Sequence, residues 1–246
     1  MIGYTRASLI VTLLAAWLSQ TALSSEPPDT PALTNVLFVA FDTETTGLKA
    51  ADGRILEIGA VKFRNGHIVG RKSWLINPGI PIPRESQRIN GITPAMVSNC
   101  PPFTVAFREF VAFSEGAVLL AHNAPFDRRF IVAELARNGL TPPENPLIDT
   151  LPLYRTWFPG QRHYSLEALT HNLLPDMATA AQGRDAGTND RTIRLHSALG
   201  DSECTAALFM KGWVGLREGT TLAEFTNAMP KVLSLKSSPS ARVRGK

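Results

Sequence analysis

The chain has 246 residues, of which 44% are hydrophobic and 19% charged, with a formal net charge of +4 and two cysteines. This balance marks a globular protein rather than a disordered one, and the length suits one sizeable α/β domain better than two. The slight basic excess favours polyanionic partners without establishing one.

Residues 1–24 are set aside before any fold reasoning. Arg6 sits in a short leading region, residues 9–18 (LIVTLLAAWL) form an apolar run, and Ala22 and Ser24 follow at the spacing a signal peptidase reads. The run is too short for a comfortable membrane span. The expectation is a signal peptide or N-terminal anchor, with the mature chain beginning near Ser25 in the periplasm or outside the cell. A mis-assigned start codon is the rival reading and would leave the protein cytoplasmic. Residues 25–33, polar and rich in proline, read as a linker.

The first strand runs through TNVLFVAFDTETTGL at 34–48. Residues 54–64 and 67–76 predict two further strands around Asn65-Gly66, a strong hairpin signal. The prolines between 77 and 102 predict loops, with a short helix in RESQRINGIT closed by Gly91 and a second turn after Thr93. Helical spacing resumes at 103–114. A short buried strand is expected at 117–122, a helix at 126–138 closed by Gly139, and a brief strand at Leu147-Ile148. Helical turns follow at 150–157 and 165–173. Residues 175–191, PDMATAAQGRDAGTNDR, have no apolar period and read as a flexible surface insertion. A helix is expected at 196–213 and a short one at 221–229, before a basic, disordered tail. Cys100 and Cys204 read as two separate, partly buried thiols, although an oxidising compartment would allow one disulfide.

The chemistry gathers in acids. Asp42 and Glu44 close the first strand two residues apart, so both face the same way. Two such carboxylates repel unless a cation or proton lies between them. Alone, the pair reads equally as a divalent-cation site or as two solvated acids at a strand edge. Asp127, in HNAPFD, falls in the first turn of a helix after a buried strand, at the usual ligand edge of α/β folds; it is also an ordinary place for a capping acid. His196 and Asp201, in HSALGD, lie at the start of another helix. Asp149 reads as a helix N-cap. Glu57, an acid in an apolar strand, has two open readings: a hydrogen bond near the site, or a solvent-facing position. Four carboxylates and a single histidine suit Mg²⁺ or Mn²⁺ better than zinc.

Residues 34–213 resemble the histidine-bearing (DEDDh, DnaQ-like) branch of the 3'-5' exonucleases, including the proofreading exonuclease subunit of bacterial DNA polymerase III. FDTETTGL, HNAPFD and HSALGD resemble the family's three motifs in order, and RINGIT at 88–93 and LIDT up to Thr150 also fit. The resemblance implies an α/β, ribonuclease H-like fold: a five-stranded mixed sheet, its first three strands antiparallel, with helices on both faces. It further implies two Mg²⁺ or Mn²⁺ ions held by Asp42, Glu44, Asp127 and Asp201, with His196 as general base. Thr43, Thr45, Leu48, Asn123 and Phe126 would contact the terminal nucleotide. The expected substrate is the 3' end of single-stranded nucleic acid, DNA favoured, and the product a nucleoside 5'-monophosphate. An exoribonuclease or scavenging nuclease of the same fold, and a noncatalytic nucleic-acid-binding module, stay open. Arg184 and Arg191 in the insertion are candidates to track the substrate backbone. The extension at 214–246, with Lys231, Lys236, Arg242, Arg244 and Lys246, is a candidate tether to a protein partner or a nonspecific nucleic-acid contact.

Overall fold

The computed structural model describes residues 32–182, 197–213, 219–227 and 232–236. The leader, His196, Arg184, Arg191 and most of the basic tail lie outside the described residues.

Strand β1 (Phe38–Thr45) sits inside a sheet of order β3-β2-β1-β4-β5-β6. Its apolar residues alternate between two cores. Val39 and Phe41 enter one cluster, with Phe110 of α3 (Phe103–Phe113) and Phe130 of α4 (Pro125–Asn138). Phe38 and Ala40 enter the other, with Tyr154 of α5 (Thr150–Trp157), Leu169 of α6 (Leu166–Leu173) and Phe209 of α8 (Ala198–Trp213). Both faces are therefore covered, which is why β1 reads as an unbroken apolar run instead of an alternating one.

Strands β2 (Ile55–Arg64) and β3 (His67–Leu75) complete an antiparallel trio with β1. Asn65 and Gly66 both take positive φ, 48° and 73°, as a two-residue hairpin turn requires. Strands β4 (Val118–Ala121) and β5 (Pro146–Asp149) then pair parallel to β1 and to each other. Ile82 and Ile92, on either side of the short helix α1 (Arg84–Asn90), and Val97 of α2 (Pro94–Val97) pack with Leu56 in a small third cluster. Gly91 ends α1 with φ 69° and Gly139 ends α4 with φ 61°, as left-handed helix stops.

Two expectations are corrected. Among the described residues the sheet has six strands, not five, because β6 (Val232–Ser234) pairs antiparallel on the outer edge of β5. Arg128 of α4 secures that edge by donating to the carbonyls of Ser234 and Lys236, while Leu235 is fully buried. The insertion expected at 175–191 begins instead with a helix, α7 (Pro175–Gln182), which packs on α6. A final helix, α9 (Leu222–Asn227), buries Phe225. Cys100 and Cys204 are free thiols. Among the described residues, no helix is long and apolar enough to cross a membrane.

Candidate active site and metal centre

Strand β1, which feeds both main cores, carries two acids toward its end. Asp42 and Glu44 continue the face of Phe38 and Ala40, the side covered by α8. Asp42 lies opposite Gly59 and Glu44 opposite Glu57. A Cβ on Gly59 would stand 2.1 Å from the backbone carbon of Ala198, so only glycine lets the start of α8 lie against β2 here. Ser197 caps that helix, its hydroxyl accepting from Gly200 N–H at 3.2 Å, and Ser202 Oγ donates to the Gly59 carbonyl at 3.0 Å. The outcome is a cluster in which one carboxylate oxygen each of Asp42, Glu44 and Asp201 lies within 4.8 Å of the others. All three residues are half-buried.

Asp127 arrives from the opposite face. Asn123 adopts φ 59°, turning the chain from β4 into α4. Asp149 secures that turn, its Oδ1 accepting from Ala124 N–H at 3.2 Å and from Leu151 N–H at 3.1 Å. It thus caps α5, as expected, and also ties down the approach to α4. Asp127 is 2% exposed, and its Oδ1 accepts both the N–H of Thr43 at 3.0 Å and the Thr43 hydroxyl at 2.7 Å.

The electrostatics are those of crowded like charges. Burial, and then the charges of Asp127, Asp201, Glu44 and Glu57, push Asp42 well above the usual carboxylate range. Burial pushes Asp127 up to about 7, against the lowering effect of the Thr43 bonds. A half-buried, all-oxygen set with this excess of negative charge is the donor chemistry that hard divalent cations select.

The residues expected to contact a nucleotide divide. Leu48 is 81% exposed, Asn123 is exposed and Phe126 half-buried, all on loops or helix starts flanking the acids. Thr43 and Thr45 are buried, and their hydroxyls bond within the protein, to Asp127 and to the Gly47 carbonyl. Their side chains hold the site's frame. Sequence reasoning missed Ser86 and Asn90 of α1, which both donate to the Thr45 carbonyl and fasten the end of β1. It left Glu57 open; the residue is buried, accepting from Ser73 Oγ at 2.5 Å and from Ala198 N–H at 3.4 Å. Lys236, grouped with the basic tail, forms an ion pair with Glu144 at 2.6 Å.

The profile of the family described as RNase_T, Exonuclease, matches residues 39–209, well over half of the chain. The chain belongs to this exonuclease family, in its DEDDh, DnaQ-like branch. It is 39% identical over 195 residues to a DNA polymerase III subunit epsilon-like protein of Rhodobacter capsulatus, covering 78% of this chain and 25% of that one. It is 44% identical over 137 residues to the DNA polymerase III subunit epsilon of Treponema pallidum, covering 55% of this chain and 64% of that one. The chain therefore spans less than two thirds of the length of these relatives. Among solved structures, Exonuclease X in complex with 5' overhanging duplex DNA aligns at 29% identity and TM-score 0.54, covering 76% of this chain and 98% of that one. Exonuclease I of E. coli with a dT13 oligonucleotide aligns at 20% identity and TM-score 0.56, covering 73% and 40%, and shares the fold.

Proposed function

We propose that the protein is a metal-dependent 3'-5' exonuclease that releases nucleoside 5'-monophosphates from the 3' end of single-stranded nucleic acid, DNA favoured. The observation that carries this reading is the convergence of Asp42, Glu44 and Asp201 at one strand end, with Asp127 fixed beside them through Thr43. DNA is favoured because the relatives are named for DNA polymerase III and the 29%-identical Exonuclease X is in complex with DNA.

Asp42, Glu44 and Asp201 would hold one Mg²⁺ or Mn²⁺, and Asp42 with Asp127 a second. Such cations supply Lewis-acid stabilisation of the charge on the attacking and leaving oxygens of a phosphodiester. His196, six positions before Ser202 and just ahead of the capped start of α8, is assigned by the motif resemblance to take the proton from the attacking water. Leu48, Asn123 and Phe126 line the approach of the terminal nucleotide.

The test is purified protein with 3'-labelled single strands of DNA and of RNA, in Mg²⁺, Mn²⁺ or EDTA. Metal-dependent release of the terminal mononucleotide is expected, faster on DNA, and lost in Asp42→Ala and His196→Ala. Intact substrate with both metals and both polymers refutes the proposal. The reading extends to export, supported by the leader-like residues 1–24. N-terminal sequencing from the native host should find Ser25 at or near the start; retained Met1 with cytosolic fractionation overturns that part.

A further inference from the structure

Glu57 is an acidic residue near the start of β2, only 3% exposed, and the reaction proposed above gives it no role. A carboxylate buried so deeply is costly unless its partners compensate it, so its partners indicate what it does. It lies directly opposite Glu44 on the antiparallel neighbour, and paired positions share a face of the sheet. One oxygen takes the hydroxyl of Ser73 on β3 at 2.5 Å. The other takes the backbone N–H of Ala198, the first residue of α8, at 3.4 Å. That N–H belongs to the group of helix-start donors that have no partner within the helix, and a negative charge there is favourable. Two residues along, Gly59 receives the backbone of the same turn and its carbonyl accepts the Ser202 hydroxyl. Glu57 and Gly59 together thus fix the first turn of α8 against β2. Asp201 is carried by that turn.

We propose that Glu57 is a positioning residue for the metal centre: by holding the Ala198 N–H it sets the first turn of α8 so that Asp201 reaches Asp42 and Glu44, and so tunes the site's affinity for a divalent cation. The inference rests on the reading of those three acids as a metal centre. Hydrogen-bonded supports behind ligating side chains typically govern metal affinity by about 10–100-fold.

Two substitutions separate reach from charge. Glu57→Gln keeps the length and an acceptor oxygen for Ala198 but loses the charge. Glu57→Asp keeps the charge but falls one methylene short. The measurement is Mn²⁺ binding to the metal-free full chain, followed by the spin-resonance signal of free Mn²⁺, with melting temperatures and binding of a DNA strand in EDTA recorded alongside. The expected result is a loss of Mn²⁺ affinity of about 10-fold or more in Glu57→Asp and a clearly smaller loss in Glu57→Gln, with strand binding in EDTA unchanged in both. Wild-type affinity in Glu57→Asp, or a loss in Glu57→Gln as large as that in Glu57→Asp, overturns the proposal. A drop in melting temperature without a change in Mn²⁺ affinity also overturns it, since that is what a purely structural strand-to-strand bond would give. Failure of the wild-type protein to bind Mn²⁺ is a different outcome: it removes the metal-centre reading itself.

Discussion

Asp127 shows how a single side chain carries both a structural and a chemical load. It is almost wholly buried, yet both bonds from Thr43 go to one of its oxygens, and burial raises it to about 7. An acid whose folded-state pKa lies above its unfolded value, near 4, is a proton store in the native state. Its contribution is fully present below the unfolded value and is lost as pH rises toward about 7; the raised Asp42 acts in the same direction. Metal-free protein is therefore expected to melt lower at pH 8 than these groups alone would allow at pH 5. Asp127→Asn keeps an oxygen to accept from Thr43 and removes the charge. It should melt several degrees above wild type at pH 8 without metal, at about 2–4 °C per kcal/mol for a chain of this size, with the difference narrowing at pH 5 and closing below about pH 4. A scan of melting temperature against pH checks this, and equal melting at pH 8 would count against it. The acids themselves were legible in the sequence because their motifs are local. The Thr43 bond to Asp127 spans 84 residues and the Glu57 bond to Ala198 spans 141, and no local pattern reports which distant group will stand opposite.

At the scale of elements, the site depends on how closely α8 lies on β2. Gly59 sets that distance, since a Cβ there would meet backbone atoms that cannot swing aside, at 2.1 and 2.2 Å. Gly59→Ala is expected to destabilise the protein by about 1–3 kcal/mol or more, as overpacking does, and to part Asp201 from Asp42 and Glu44. Melting temperature and nuclease activity should fall together. Gly47, with open space around its would-be Cβ and no positive φ, is the control: Gly47→Ala should stay within about 0.5 kcal/mol of wild type. Denaturant melts of the two variants distinguish the cases. The same contrast explains what was legible. The antiparallel trio and its Asn65-Gly66 turn, the helix stops at Gly91 and Gly139, and the Asp149 cap all follow from local chemistry. Strand β6 does not, because three partly exposed residues carry no period; it exists because the outer edge of β5 and the guanidinium of Arg128 are there to receive it. Helix α7 was hidden for a related reason, since its short run of small and polar residues carries no apolar stripe.

For the whole molecule, the position of the acids would make folding and the proposed cation binding one equilibrium. Asp42 and Glu44 come from the central strand, whose two faces build the two main cores, and Asp201 from a helix that closes one of them. The unfolded chain does not hold these oxygens within 4.8 Å of one another, so a cation bound by them, as proposed above, would bind the native state and stabilise all of it. At 100 times the dissociation constant that linkage is worth about 2.7 kcal/mol, or roughly 5–10 °C for a domain of this size. Adding Mg²⁺ or Mn²⁺ to EDTA-treated protein should raise a single melting transition by that amount. The rise should be larger at pH 8 than at pH 5, where protons already relieve the repulsion among the acids. Asp201→Ala should melt near the metal-free wild type and gain little from either ion, because two carboxylates from one strand remain where three had converged. A wild-type transition that metal leaves unmoved would separate the acids from any cation and would leave their crowding to be explained by protons alone.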